Sequence, residues 1–139
     1  MTEVSGKCPV VFALDVIGDK WSLLVLRDML FRGKRTYGDF LKSHEKISTN
    51  ILADRLGKLE AAGMIAKVPA RPNSPRKAYK MTEKGADMLP VILEMIAWSA
   101  KYDRYPEGAA LIAGAPDDLL HRIKTDRDGL MAELRLALQ

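Results

Sequence analysis

The chain has 139 residues, 47% of them hydrophobic, a formal net charge of +4 and one cysteine. Such a length and apolar content suit one domain with a sizeable core and exclude a disordered tail. Cys8 stands alone, which excludes an intramolecular disulfide and fits a reducing compartment. The charge is uneven: after residue 105 four Lys/Arg face six Asp/Glu, so the tail carries −2 and residues 1–105 carry +6. A phosphate-facing surface would sit in the basic part. The N-terminus lacks a basic leader and a cleavage site, and no run approaches the roughly 20 apolar residues that span a bilayer. The expectation is a cytoplasmic protein with no membrane partner.

Pro9 suits the first turn of a helix running to about Ile17, with Gly18 as its stop. Asp19 then caps KWSLLVLRDMLF, whose Trp21, Leu24, Val25 and Met29 or Leu30 make a broad apolar face, and Gly33 closes it. Thr36 caps a shorter helix, YGDFLKSHE, that buries Tyr37 or Phe40 together with Leu41. Only a short turn fits before Ser48, the cap of a helix in which Leu52, Leu56 and Leu59 recur on one face. Gly63 ends that helix. Two helices joined this way, the second amphipathic with a polar start, predict a helix-turn-helix.

MIAKV and KAYKM have strand character. Between them PARPNSPR holds three prolines and must be a turn or extended loop. Arg71, Arg76, Lys77, Lys80 and Lys84 surround it, with Glu83 the only acid. TEKGADMLPVILEMIAWSAKY then reads as a long apolar helix that Pro90 must kink or delay. Residues 103–115 read as a linker. Pro116 opens a terminal helix with Leu119, Leu120, Ile123, Leu130, Leu134 and Leu138 on one face, weakened by Gly129. The fold class expected is mainly α with a small β-hairpin wing. Residues 1–105 would form the winged DNA-binding domain with dimerisation helices. Residues 106–139 would form a linker and an amphipathic helix belonging to that domain or to a dimer interface.

Three blocks resemble the HxlR family of bacterial winged helix-turn-helix regulators, relatives of the MarR group. They are CPVVFALDVIGDKWSLLVLRDML at residues 8–30, ISTNILADRLGKLEAAGMI at 47–65 and YKMTEKGADMLPVILEMIAW at 79–98. The resemblance covers roughly residues 8–102 and not the tail. It implies a homodimer on a two-fold or pseudo-two-fold double-stranded DNA operator, with the first helix and the post-wing helix at the dimer interface. The apolar PVILEMIAW independently favours a partner, since a 15.5 kDa chain has little else to cover it, with core packing inside one subunit as the alternative.

On the recognition helix, Ser48 is the cap, and Thr49, Asn50, Ala53, Asp54 and Lys58 lie off the leucine stripe. Thr49 and Asn50 are placed to meet base edges, because Asn pairs with adenine and a Thr or Ala methyl meets that of thymine. Arg55 has two readings, a phosphate contact or a bridge to Asp39 or another acid. In the wing, Arg71, Asn73, Ser74, Arg76 and Lys77 are phosphate or minor-groove candidates. The alternative there is a cationic hairpin edge that only discourages aggregation. Lys34, Arg35 and Tyr37 would anchor a backbone phosphate.

Cys8 is the candidate redox sensor, because some HxlR-like regulators respond to quinones, aldehydes or disulfide stress through a cysteine in this position. Its alternative is a small buried residue. Trp21, Trp98 and Tyr102 are candidates to line a small-molecule effector pocket. His44 and His121 lack ligand-spaced neighbours, and no phosphate loop or nucleophile–base pair can be assembled, so neither metal, cofactor nor catalysis is expected. The combined expectation is a homodimeric, sequence-specific transcriptional regulator, most simply a repressor. A winged-helix protein-interaction module is the alternative.

Overall fold

A computed structural model describes residues 8–102 and 118–138. Helix α1 spans Pro9–Ile17 and α2 spans Lys20–Arg32, separated by a turn at Gly18 and Asp19. The Asp19 carboxylate accepts the Ser22 backbone N–H at 3.2 Å, which satisfies a donor at the start of α2. Helix α3 (Tyr37–Leu41) opens with a reciprocal cap: Thr36 takes the Asp39 N–H, and Asp39 takes the Thr36 N–H. Helix α4 (Thr49–Ala61) starts at Ser48, whose side chain accepts the Ile51 N–H at 3.3 Å. Gly63 follows α4 with φ +78°, a left-handed conformation that turns the chain into the hairpin.

Strands β1 (Ile65–Pro69) and β2 (Lys77–Met81) pair antiparallel, with Ile65 opposite Met81 and Pro69 opposite Lys77. The Tyr79 N–H does not point back at β1. It donates to the Arg35 carbonyl at 2.8 Å, so the loop before α3 lies along the outer edge of β2. One turn of helix, α5 (Glu83–Ala86), precedes α6 (Leu89–Tyr102). The tail forms α7 (Leu119–Thr125) and α8 (Arg127–Ala137).

One core joins these elements. Leu26 of α2, Leu52, Leu56 and Leu59 of α4, Phe40 of α3, and Leu89 and Leu93 of α6 are all essentially inaccessible. Leu119, Ile123, Leu130 and Leu134 of the tail belong to the same buried cluster. At about 1.5–3 kcal/mol per fully buried aliphatic side chain, the three α4 leucines alone strongly fix which face of that helix stays outside.

Three expectations need adjustment, and a fourth, the delayed helix start that Pro90 requires, is met. Helix α3 stops at Leu41 and not at Glu45, because the next residues turn (the Ser43 N–H donates to Phe40 O, the Lys46 N–H to Ser43 O) and Lys46 takes φ 58°. The first strand begins at Ile65 and runs through Pro69 instead of starting at Met64. The post-wing helix is broken before Leu89, so Pro90 falls in the first turn of α6, where its missing N–H costs nothing. The terminal helix is two helices: Asp126 leaves the helical conformation at φ −150° and caps α8 through the Gly129 N–H at 3.2 Å. The linker at 103–115 and the helix start at Pro116 lie outside the described residues.

Candidate nucleic-acid interface

The leucine stripe of α4 faces inward, so Ser48, Thr49, Asn50, Ala53, Asp54, Gly57 and Lys58 are exposed together along its outer side. Tyr37, at the first position of α3, fixes the start of this surface: its hydroxyl donates to the Thr49 carbonyl at 2.9 Å. It is 38% exposed and borders the polar start of α4. The turn that delivers α4 is held from behind by Asp28, a carboxylate only 2% exposed on α2. Asp28 accepts from Arg27 Nη2 at 2.8 Å and from the Ser43 hydroxyl, and Arg32 and Lys34 lie 3.4 and 3.8 Å away. Arg27 also grips Glu45 with two parallel bonds of 2.8 Å. This grip holds the Glu45 carboxyl down at about 2, well below its ordinary 4.5.

The expected cations therefore divide. Lys34 turns inward, with its ammonium donating to Ser43 Oγ at 2.9 Å. Arg55 also pairs internally: its Nε donates to Asp19 at 2.7 Å and its Nη1 to Asp54 Oδ2 at 2.5 Å. The acid it bridges to is Asp19, whereas Asp39 is occupied in the α3 cap and accepts the Arg35 and Thr36 N–H groups at 3.1 Å each. Partial burial pushes the Asp19 carboxyl up, but hydrogen bonds from Ser22 and Arg55 outweigh it and hold the group below its usual range. Lys58 reaches Asp54 at 3.4 Å along the helix.

Arg35, Arg71, Arg76 and Lys77 are exposed and form no ion pair with a carboxylate among the described residues. The wing tip is closed by Ala70 N–H to Arg76 O at 2.7 Å and Ser74 N–H to Arg71 O at 3.0 Å. Ser74 also takes the Arg76 N–H at 3.1 Å, and Asn73 adopts φ 61°, so both serve the turn's own geometry. Arg76 leans back toward α3: a Cβ on Gly38 would lie 3.9 Å from its Nη2. Arg35 is brought to the same edge by its backbone bond to β2. The exposed cations thus run from the loop before α3 onto the wing, flanking the polar start of α4.

Sequence reasoning did not foresee Asp19 as Arg55's partner or Glu45 as Arg27's, because 36 and 18 residues separate them and no periodicity links such positions. Cys8 is a free thiol, half-exposed, at the N-cap of α1, and makes no side-chain cap bond. Trp98 and Tyr102 pack on each other with centroids 5.4 Å apart and are exposed. Trp21 lines a cleft with Val25, Asp28, Phe40 and Ile47, to which neither Trp98 nor Tyr102 contributes. No helix among the described residues is long and apolar enough to cross a membrane.

Comparisons with known proteins agree with this geometry. The HxlR-like helix-turn-helix profile matches residues 16–106. The HTH-type transcriptional regulator YdeP of Bacillus subtilis is 37% identical over 95 residues, covering 68% of this chain and 73% of YdeP. Among solved structures, PA1607 superposes with a TM-score of 0.67 at 36% identity, over 77% of this chain and 73% of that one. The redox regulator HypR in its reduced form superposes with a TM-score of 0.59 at 31% identity, over 72% and 98%. With its helix-turn-helix, hairpin wing and matched profile, the chain belongs to the HxlR-like helix-turn-helix family of transcriptional regulators.

Proposed function

We propose that this regulator acts as a homodimeric repressor on a pseudo-palindromic operator. The outer face of α4 enters the major groove, and Arg35, Arg71, Arg76 and Lys77 engage flanking phosphates. The observation that carries the reading is the exposed, small and polar start of α4 beside cations that have no carboxylate partner. Thr49 and Asn50 read bases; Lys34 and Arg55 act by holding the frame. Every wing contact adds affinity without sequence information, and the helix supplies the specificity. The similarity to an HTH-type transcriptional regulator supports reading this chain as a non-catalytic, cytoplasmic protein.

Dimerisation is supported by surface that one chain leaves uncovered. Helix α1 is PVVFALDVI, yet none of its residues is buried, and Phe12 is 56% exposed. On α6, Val91, Met95, Trp98 and Tyr102 are also exposed. A second copy would cover both helices. Sedimentation should give twice the chain mass, and Phe12→Glu with Trp98→Glu should give monomer. Cys8, half-exposed on α1, would then sit close to that interface. Its oxidation to a mixed or intersubunit disulfide, or its alkylation, would alter the dimer and so DNA binding. The likeness to the redox regulator HypR supports this. Cys8→Ser should bind DNA normally and lose any response to an oxidant.

The deciding experiment is fluorescence anisotropy on duplexes from the promoter beside its own gene, with excess random DNA and varied salt. Binding that survives competitor and weakens steeply with salt is expected. Complete loss to competitor on every genomic fragment would overturn the reading in favour of a protein-interaction module.

A further inference from the structure

Two acids are exposed on the outer side of α4, Glu60 near its C-terminal end and Asp54 on the part that the proposed function assigns to DNA. Asp54 lies one turn beyond Asn50, with Ala53 beside it and Gly57 the next residue on that side, all exposed. A carboxylate there would ordinarily repel the phosphates, so its surroundings matter. Arg55 at 2.5 Å and Lys58 at 3.4 Å both contact the same atom, Oδ2. Arg55 is itself fixed to Asp19 at the α1–α2 joint by a 2.7 Å bond. The two cations offset the two carboxylates, and no protein hydrogen bond falls on Asp54 Oδ1 among the described residues. The hydrogen bond from Arg55 holds the Asp54 carboxyl below its ordinary range, so it is ionised and can only accept.

Gly57 is the second observation. Glycine inside a helix costs up to about 1 kcal/mol relative to alanine. No packing among the described residues requires it, since a Cβ at Gly57 would meet no atom within 4 Å. With Ala53, it leaves the helix face around Asp54 bare, as close approach of the backbone to another surface would need.

We propose that Asp54 is a specificity-determining residue whose Oδ1 accepts a hydrogen bond from the N4 amino group of a cytosine in the major groove. The inference rests on the DNA-reading role of α4. An acceptor-only group selects among base edges by what they donate. Guanine shows N7 and O6 and thymine shows O4, all acceptors that repel it. Adenine shows a donor beside its N7 acceptor, and cytosine shows the N4 donor alone. Arg55 and Lys58 are positioning residues here, because they hold Oδ2 and leave Oδ1 for the base.

The test is selection and sequencing of bound duplexes from a randomised pool with the full-length wild type, Asp54→Asn and Asp54→Ala, each checked for an unchanged melting curve. The wild type should select a cytosine at one position of each half-site. Asp54→Ala should open that position to all four bases, a loss of discrimination of about 10- to 100-fold. Asp54→Asn should move it toward adenine, whose edge both accepts and donates. If both variants keep every wild-type preference, or weaken binding to all sequences alike, Asp54 reads no base. Release of a position at which the wild type selects another base equally overturns the cytosine assignment. A wild type that enriches no sequence would instead defeat the DNA-reading role itself, so the two failures are distinguishable.

Discussion

Two groups of cations occupy this chain, and the same residue types do different work in each. Around Asp28, Arg27, Arg32 and Lys34 converge on a buried carboxylate, and Arg27 holds Glu45 as well. On the wing, Arg71, Arg76 and Lys77 are exposed and form no ion pair with a carboxylate among the described residues. The first group is paired internally, three cations against two carboxylates, and ties α2 to the turn before α4. The second group keeps its charge exposed, as the proposed contact with phosphates requires. Net charge alone therefore does not say which cations are available to an external anion; the pairing of each cation does.

The largest expected effect comes from breaking the buried group. Asp28→Ala leaves its cations facing one another in a closed site and should destabilise the fold by about 3–5 kcal/mol in denaturant unfolding. The wing should behave in the opposite way. Arg71→Ala with Arg76→Ala should leave stability within about 0.5 kcal/mol, yet lower DNA affinity for all sequences. The same pair should make the log–log salt slope shallower by about 2, which titration at several salt concentrations would measure. Equal loss of stability in both variants would erase the distinction between the two groups.

Acid sharpens the comparison. Glu45 titrates near 2 in the fold against an ordinary 4.5, so its bond to Arg27 contributes fully above about 4.5 and is lost as pH falls toward 2. Glu45→Gln should cost about 1–2 kcal/mol at neutral pH and flatten the acid limb of a stability–pH curve. No wing substitution should change that limb. The smallest effect is expected from Tyr37→Phe. It removes one half-exposed bond to the Thr49 carbonyl and should cost less than about 1 kcal/mol, read from the melting temperature.

Much of the fold was legible in the chain because its signals are local. The caps at Asp19, Thr36 and Ser48 need only three or four residues, and each forms as its spacing predicts. The Leu52, Leu56 and Leu59 stripe sets the inward face of α4 by the same short-range logic. The site was less legible. Thr49, Asn50 and Ala53 are exposed as expected, but Lys34 points inward and Arg55 is held by an acid that precedes it by 36 residues. Helix α3 also ended early, because Ser43 and its neighbours turn toward the Asp28 cluster.

The sequence by itself determined where helices start, which faces are apolar, and that a proline-rich cationic hairpin follows an amphipathic helix, since each depends on neighbours within one or two turns. Only the tertiary structure decided which cations pair with carboxylates among the described residues, which acid holds Arg55, and that both cations on Asp54 contact one of its two oxygens on the exposed face of α4. Those outcomes depend on distances of a few ångströms between segments far apart in the chain, and ion pairing falls off too steeply with distance for sequence spacing to reveal it.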